Sequence, residues 1–358
     1  MYTPETKELR FNPDGKFRIL MISDLHARGR KTPDEQGRLY SQKMVDAIEA
    51  LVVETKPDFV MLGGDQCIGY DEAYMRMALS DILEPLHKRG IPWAHVHGNH
   101  DNEERMTTAE QEPIYESYPL CLSQAGPEDI FGIGNYVLPV YASSSNRIAY
   151  NIFALDSHRD ITNYIKEFHI SDRENNILMP VSFGSGENQA SPFFDQVMWY
   201  YDTSEEMEEK NGAKIPAVMF LHVPILEANL IGRNPDETNM IGHKRCSVGC
   251  SELDSGLFFA CLERGDVKGI FWGHEHMATF QGTYCGITMG TDGCIGFDMS
   301  GHDDLRGGRI LDLDEATGTF ETRFLPLTEI MGRNAWKNPD NFEGGWNTDY
   351  FIRKPKSR

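Results

Sequence analysis

Five short polar blocks in this 358-residue chain each follow a run of apolar residues. Asp24-Leu25-His26 follows FRILMIS (17–23), and Asp65 follows PDFVMLGG (57–64). Asn99-His100-Asp101 follows IPWAHVHG (91–98), His222 ends IPAVMFLH (215–222), and His274-Glu275-His276 follows VKGIFWG (267–273). Carboxylate and amide oxygens mixed with imidazole nitrogens suit Mn, Fe, Zn or Ni. A carboxylate has two oxygens and can bridge two ions. Two ions roughly 3.5–4 Å apart can clamp the attacking and leaving oxygens of a phosphoryl displacement. Asp24 and His26 are two residues apart, as are His274 and His276, which in an extended strand end puts each pair on one side.

Such blocks act together only if the chain brings five strand ends to one place. The first third alternates the strand-like runs with helical patterns. Residues 40–54 set Met44, Ile48, Leu51 and Val52 at helical spacing, and residues 71–88 do the same with Met75, Leu79, Ile82 and Leu86. Strand–helix–strand–helix–strand predicts parallel strands in one sheet, with sites beyond their carboxyl ends. Residues 130–156 read as a hairpin added antiparallel to a sheet. Residues 159–192 are polar and read as a long insert or lid. Residues 192–209 and 256–265 read as helices, and 280–321 as a closing antiparallel sheet. No repeat, linker or composition break divides the chain, so one domain is expected over 1–332, with the tail 333–358 wrapping its surface.

The five blocks, in this order, resemble the calcineurin-like metallophosphoesterases: D-x-H, G-D, G-N-H-D, a lone His after an apolar strand, and G-H-x-H. The resemblance runs from about residue 17 to 310. It is nearest to the leaderless branch beside the purple acid phosphatases, through Gly64-Asp65-Gln66, Trp199-Tyr200 before His222, and Ser255-Gly256-Leu257-Phe258. It implies a four-layer α/β/β/α sandwich with two mixed sheets and helices on both outer faces. It implies that Asp24, His26, Asp65 and His276 hold one metal, and that Asp65, Asn99, His222 and His274 hold another, with Asp65 bridging. The pair would be divalent or mixed-valent; Mn, Fe, Zn and Ni are not distinguished. His100 would protonate the departing alkoxide, and Asp101 would orient its imidazole. Purple acid phosphatases carry a tyrosine three residues after the bridging aspartate and lack the His of D-x-H. This chain has Ile68 and His26 at those positions, so no tyrosine–Fe(III) colour is expected.

Each block also has a plainer reading alone. Asp24 can cap a strand, Gly64-Asp65 can be a turn, and His222 can be a hydrogen-bonded core histidine. His95 and His97 alternate with apolar residues, which favours sheet packing or support of the site over ligation. Asp156 reads as a loop-fixing residue near His158. Arg28 and Arg30, just past the first block, could reach a substrate phosphate or lie on a solvated loop. Cys246 and Cys250 lack a second pair for a metal site.

Composition narrows the partners. Thirty-four Lys and Arg against 55 Asp and Glu give a net charge of −21, which offers no footprint for bulk nucleic acid or an anionic membrane. No apolar leader or membrane-length run is present, and seven cysteines without a CxxC pair point to a reducing cytoplasm. The expected activity is hydrolysis of a small-molecule or protein phosphate ester by in-line attack of a metal-bound hydroxide, on a monoester before a diester of the cyclic-nucleotide or glycerophosphodiester type. A catalytically silent protein-binding scaffold of the same fold is the reading from another class.

Overall fold

The computed structural model describes residues 2–3, 8–159, 189–251, 253–332 and 352–353. The expected insert (apart from its first residue and its end) and most of the C-terminal tail lie outside the described residues. The elements run β1 (Tyr2–Thr3), β2 (Glu8–Arg10), β3 (Lys16–Ile22), α1 (Glu35–Thr55), β4 (Phe59–Leu62), α2 (Glu72–His87), β5 (Trp93–His95), α3 (Thr108–Glu116), β6 (Tyr136–Tyr141) and β7 (Ile148–Ala154). They continue with α4 (Phe194–Asn211), β8 (Ala217–Phe220), α5 (Ala228–Arg233), β9 (Gly242–His243), α6 (Leu257–Arg264), β10 (Val267–Trp272), β11 (Gln281–Tyr284) and β12 (Ile287–Thr291). The last are β13 (Gly307–Asp314), β14 (Thr319–Pro326), α7 (Leu327–Met331) and β15 (Ile352–Arg353).

Two mixed sheets form the centre, in strand orders β1-β2-β6-β7-β8-β10-β12-β11 and β14-β13-β3-β4-β5. Side-chain alternation along each strand divides the core into three layers. Along β3, Ile19 and Met21 face inward, where they meet Phe59 and Met61 of their own sheet and Val218, Phe220 and Phe271 of the other. Leu20 and Ile22 face outward onto Met44, Ile48 and Leu51 of α1 and Leu79 and Ile82 of α2. Across the larger sheet, Met219, Ile270 and Trp272 pack outward on Val197, Tyr200, Leu257 and Cys261 of α4 and α6. The architecture is therefore helix, sheet, sheet, helix, as the resemblance implied.

The parallel trio β3-β4-β5 matches the sequence reading, and β6 and β7 pair as the expected hairpin, but that hairpin joins its sheet parallel, β7 beside β8 and β6 beside β2, rather than antiparallel. The region 280–321 differs: β11 and β12 close the larger sheet, with β12 parallel to β10, whereas β13 and β14 extend the smaller sheet antiparallel to β3. Alternation marks these strands but does not say which sheet they join. Helix α3 escapes the sequence pattern because it is nine residues long, polar and interrupted by Pro113; a Thr107–Glu110 capping box starts it. Among the described residues, no helix is long and apolar enough to cross a membrane.

Candidate metal centre

The five polar blocks lie on the loops that leave the carboxyl ends of β3, β4, β5, β8 and β10, three from one sheet and two from the other. Backbone bonds lace these loops together. The Asp24 N–H donates to Gly64 O at 3.0 Å and the His26 N–H to Asp65 O at 2.9 Å. The His100 N–H donates to Asp65 Oδ1 at 2.8 Å, and the His274 N–H to Asp24 Oδ2 at 3.0 Å. Asp24, His26, Asp65 and His274 have φ of 52°, 43°, 52° and 68°, a region few non-glycine residues occupy. Left-handed turns just past the strands, rather than extended alternation, thus bring Asp24 and His26 together. Such strain persists only where surrounding structure imposes it, and it gathers at functional sites. Gly64 (φ 100°) passes so close to His222 that a side chain there would overlap the imidazole, and one at Gly98 would overlap the Asp65 carboxylate.

The side chains converge. Ligand atoms of Asp24, His26, Asp65 and His276 all lie within 4.8 Å of one another. His276 Nε2 is 3.1 Å from Asp24 Oδ1 and 3.4 Å from His26 Nε2. On the other side of Asp65, His222 Nε2 is 3.2 Å from Asp65 Oδ2 and 3.1 Å from Asn99 Oδ1, which is also 2.9 Å from His274 Nδ1. His222 Nδ1 faces Gly63 O at 2.8 Å and His276 Nδ1 faces Ser300 O at 2.8 Å. A carbonyl on Nδ1 fixes the tautomer and turns the Nε2 lone pair inward, the usual arrangement for a metal-ligating histidine.

Electrostatics sort the imidazoles. Burial pushes His26 down to about 4 and His274 down to about 3. Burial also opposes charge on His222 and His276, but Asp65 raises the first to about 10 and Asp24 raises the second to about 9. Two buried carboxylates thus draw positive charge into a pocket walled by four imidazoles. Asp24 Oδ1 and Asp65 Oδ2 are buried and accept no hydrogen bond. Orphaned anionic oxygens ringed by imidazole nitrogens and an amide oxygen fit two cations sharing Asp65.

Supporting residues absent from the sequence reading also emerge. Ser23 Oγ lies 2.5 Å from Asp24 Oδ2 and 2.7 Å from Asp292 Oδ1, so the hydroxyl braces Asp24; burial and then the Asp24 charge push Asp292 up to about 7. Glu275, between the paired histidines, accepts from Trp272 Nε1 at 2.9 Å and the Gly249 N–H at 2.8 Å, which pins the 246–250 loop beside His274.

The expected role of Asp101 needs correction. Its buried carboxylate accepts from the backbone N–H groups of Asp65 (2.9 Å), Cys67 (3.1 Å) and Gly98 (2.8 Å), and so ties two loops together. Glu103, three residues on, is the carboxylate at His100, with Oε2 2.9 Å from Nδ1. His100 is partly exposed and its ring lies edge-on to His26 at 5.4 Å. Arg30 is bound to Asp81 at 2.9 Å and to Glu84. Arg28 pairs with Asp298 and, at 3.4 Å, with Asp34. Arg159 reaches Glu103 at 3.2 Å. His158 is buried on Asp156 at 3.3 Å and Gln196 at 2.8 Å.

Comparison with known proteins agrees with this geometry. Residues 17–278 match the family model of the calcineurin-like phosphoesterases. The chain belongs to that family. This calcineurin-like phosphoesterase is 29% identical over 315 residues to the probable inactive purple acid phosphatase 14 of Arabidopsis thaliana, spanning 81% of this chain and 73% of that protein. It is 28% identical over 370 residues to the probable inactive purple acid phosphatase 28 of the same plant, spanning 93% and 87%. Its fold resembles that of a dimetal phosphatase from Danio rerio, with TM-score 0.52 and 14% identity over 86% of this chain and 98% of that one.

Proposed function

We propose that this calcineurin-like phosphoesterase is an active, two-metal phosphomonoesterase. The observation that carries the reading is the convergence of seven ligand-type side chains from five loops around the unpartnered oxygens Asp24 Oδ1 and Asp65 Oδ2. Asp24, His26, Asp65 and His276 would hold one ion; Asp65, Asn99, His222 and His274 would hold the other. When bound, such a pair supplies Lewis acidity toward the phosphoryl oxygens and a hydroxide nucleophile at neutral pH. The chain's own residues do the rest. His100, beside His26 and open to solvent, delivers a proton to the leaving oxygen from Nε2, because Glu103 occupies Nδ1. Arg159, held on Glu103, places a cation beside His100, where a dianionic monoester needs more charge balance than a diester. The substrate is a phosphate ester of a small molecule or a protein, and all seven cysteines are free, as a cytoplasmic enzyme would have them.

Both of the plant relatives above are named probable inactive phosphatases, which favours a second reading, a non-catalytic scaffold of the same fold. The test is a parallel assay of full-length protein reconstituted with Mn, Zn, Fe(II) or Ni on p-nitrophenyl phosphate and bis(p-nitrophenyl) phosphate. Faster cleavage of the monoester is expected. Faster cleavage of the diester makes the protein a phosphodiesterase, and no cleavage with any ion leaves the scaffold.

A further inference from the structure

We propose that His95, His97 and Glu112 form a third metal site, separate from the paired-ion centre, for a divalent ion of the zinc class. His95 ends β5 and His97 lies two residues beyond, so both side chains leave the same face. Their neighbours Ala94 and Val96 turn into the core between the sheets, which sends the two imidazoles the opposite way, toward α3. Glu112 comes from the buried side of that helix.

The three side chains are only 1–2% exposed, and His95 Nε2 and His97 Nε2 lie 3.2 and 3.0 Å from the same oxygen, Glu112 Oε2. One ligand atom from each residue falls within 4.8 Å of the other two. Ligands on tetrahedral bonds of about 2.0–2.2 Å stand roughly 3.3–3.6 Å apart, so an ion would need the two imidazoles to move only a few tenths of an ångström away from the carboxylate. Hydrogen bonding leaves the cluster incomplete. His95 Nε2, His97 Nδ1 and Glu112 Oε1 are buried without a hydrogen-bond partner. His97 Nε2 shares a hydrogen bond with Glu112 Oε2, while His95 Nε2 lies 3.2 Å from that same oxygen. The far nitrogen of His95 is anchored: Nδ1 lies 2.7 Å from Ser123 Oγ, which also accepts the His95 N–H at 2.9 Å. A ligating histidine is normally held in this way. Two imidazoles and one carboxylate make a donor set for zinc or a related transition ion rather than for calcium or magnesium.

None of these residues belongs to the paired-ion set, and the cluster has a different task. Gln111, next to Glu112, donates from Nε2 to Asp101 O at 2.5 Å. An ion joining β5 to α3 would clamp both ends of the loop that carries Asn99 and His100. It acts through that loop and does not touch the substrate.

The test uses the full-length protein, stripped with chelator and dialysed against zinc, with zinc counted per chain and crystals measured at the zinc absorption edge. Three zinc ions per chain are expected, with an anomalous peak bonded to His95 Nε2, His97 Nε2 and Glu112. Glu112→Gln, similar in size and uncharged, should lose one equivalent and keep the peaks around Asp65. Two equivalents in the unaltered protein, with no peak at this cluster, would overturn the proposal and leave a carboxylate neutralised by imidazole protons. If Glu112→Gln does not fold, the map of the unaltered protein decides alone. A peak here with none around Asp65 would keep this site and remove the paired-ion centre instead.

Discussion

Glu103 Oε2 lies 2.9 Å from His100 Nδ1, within one loop. This contact occupies Nδ1 and leaves Nε2 as the ring nitrogen that the proposed proton transfer would use. Arg159 lies 3.2 Å from the same carboxylate. The pair holds a partly exposed imidazole, on the loop between β5 and α3, at the edge of the buried cluster of ligand-type side chains.

The general-acid role makes leaving-group dependence the readout. His100→Ala should retain both ions of the pair and slow alkyl phosphates by about 100-fold, with a smaller effect on nitrophenyl phosphate, whose leaving group needs no proton. Glu103→Ala should slow alkyl esters by about 10-fold in kcat. Steady-state kinetics on a leaving-group series checks both. Equal slowing of aryl and alkyl esters would contradict the role.

Asp101 carries a structural task rather than an orienting one. Its three backbone donors would be left buried and unpartnered in Asp101→Ala, at about 1–3 kcal/mol each when unrelieved by water. The variant should melt well below the parent and bind metal weakly, whereas Asp101→Asn, which keeps an acceptor oxygen, should recover part of the loss. Calorimetry with metal analysis reads both. An Asp101→Ala protein of parental stability would remove the argument.

The Asp156–His158 pair predicts a pH window. Burial opposes both charges, yet their mutual attraction holds Asp156 down at about 2, below its ordinary 3.8, and lifts His158 above its ordinary 6.5. The lowered carboxyl stabilises the fold above pH 3.8 and loses that effect as pH falls through about 2. The raised imidazole stabilises it below pH 6.5 and loses that effect as pH climbs through its raised value. Asp156→Asn should therefore cost most between pH 3.8 and 6.5, on the order of 1–3 kcal/mol, with a narrowing gap on either side. Thermal melts across pH measure this, and a gap that does not vary would contradict the assignment.

Much of the site is legible in the sequence because each ligand block sits where an apolar run stops. A buried strand must end in polar residues that find partners, and five such endings carrying carboxylate, amide and imidazole groups have few uses apart from metal. The layering follows from period-two alternation in strands such as β3 and helical spacing in α1 and α2. Other features depend on tertiary context. The positive φ at Asp24, His26, Asp65 and His274 replaces the extended geometry that the spacing suggested. Asp101 adjoins His100 in sequence, but its side chain turns under the loop to collect N–H groups, leaving Glu103 to reach the imidazole. Only the acidic Glu103-Glu104 pair after the G-N-H-D block hinted at this. Asp292 lies far along the chain from Ser23, so no local pattern could connect them.

The absence of tyrosine at position 68 has a spectroscopic consequence. Iron-loaded protein should show no visible tyrosinate-to-Fe(III) band, because Ile68 offers no phenolate there. Absorption spectroscopy under air checks this, and a purple protein would require a phenolate ligand from elsewhere in the chain.

In the proposed phosphomonoesterase, Asp65 is the ligand that two ions would share. The most direct measurement is p-nitrophenyl phosphate hydrolysis by chelator-stripped protein as Mn or Zn is restored, with Asp65→Asn in parallel. Activity should return with the metal in the parent and remain at least about 1000-fold lower in the variant, as the loss of charge at a shared ligand requires. A parent that takes up its metal and hydrolyses nothing above the buffer rate, or a variant as active as the parent, would contradict the account.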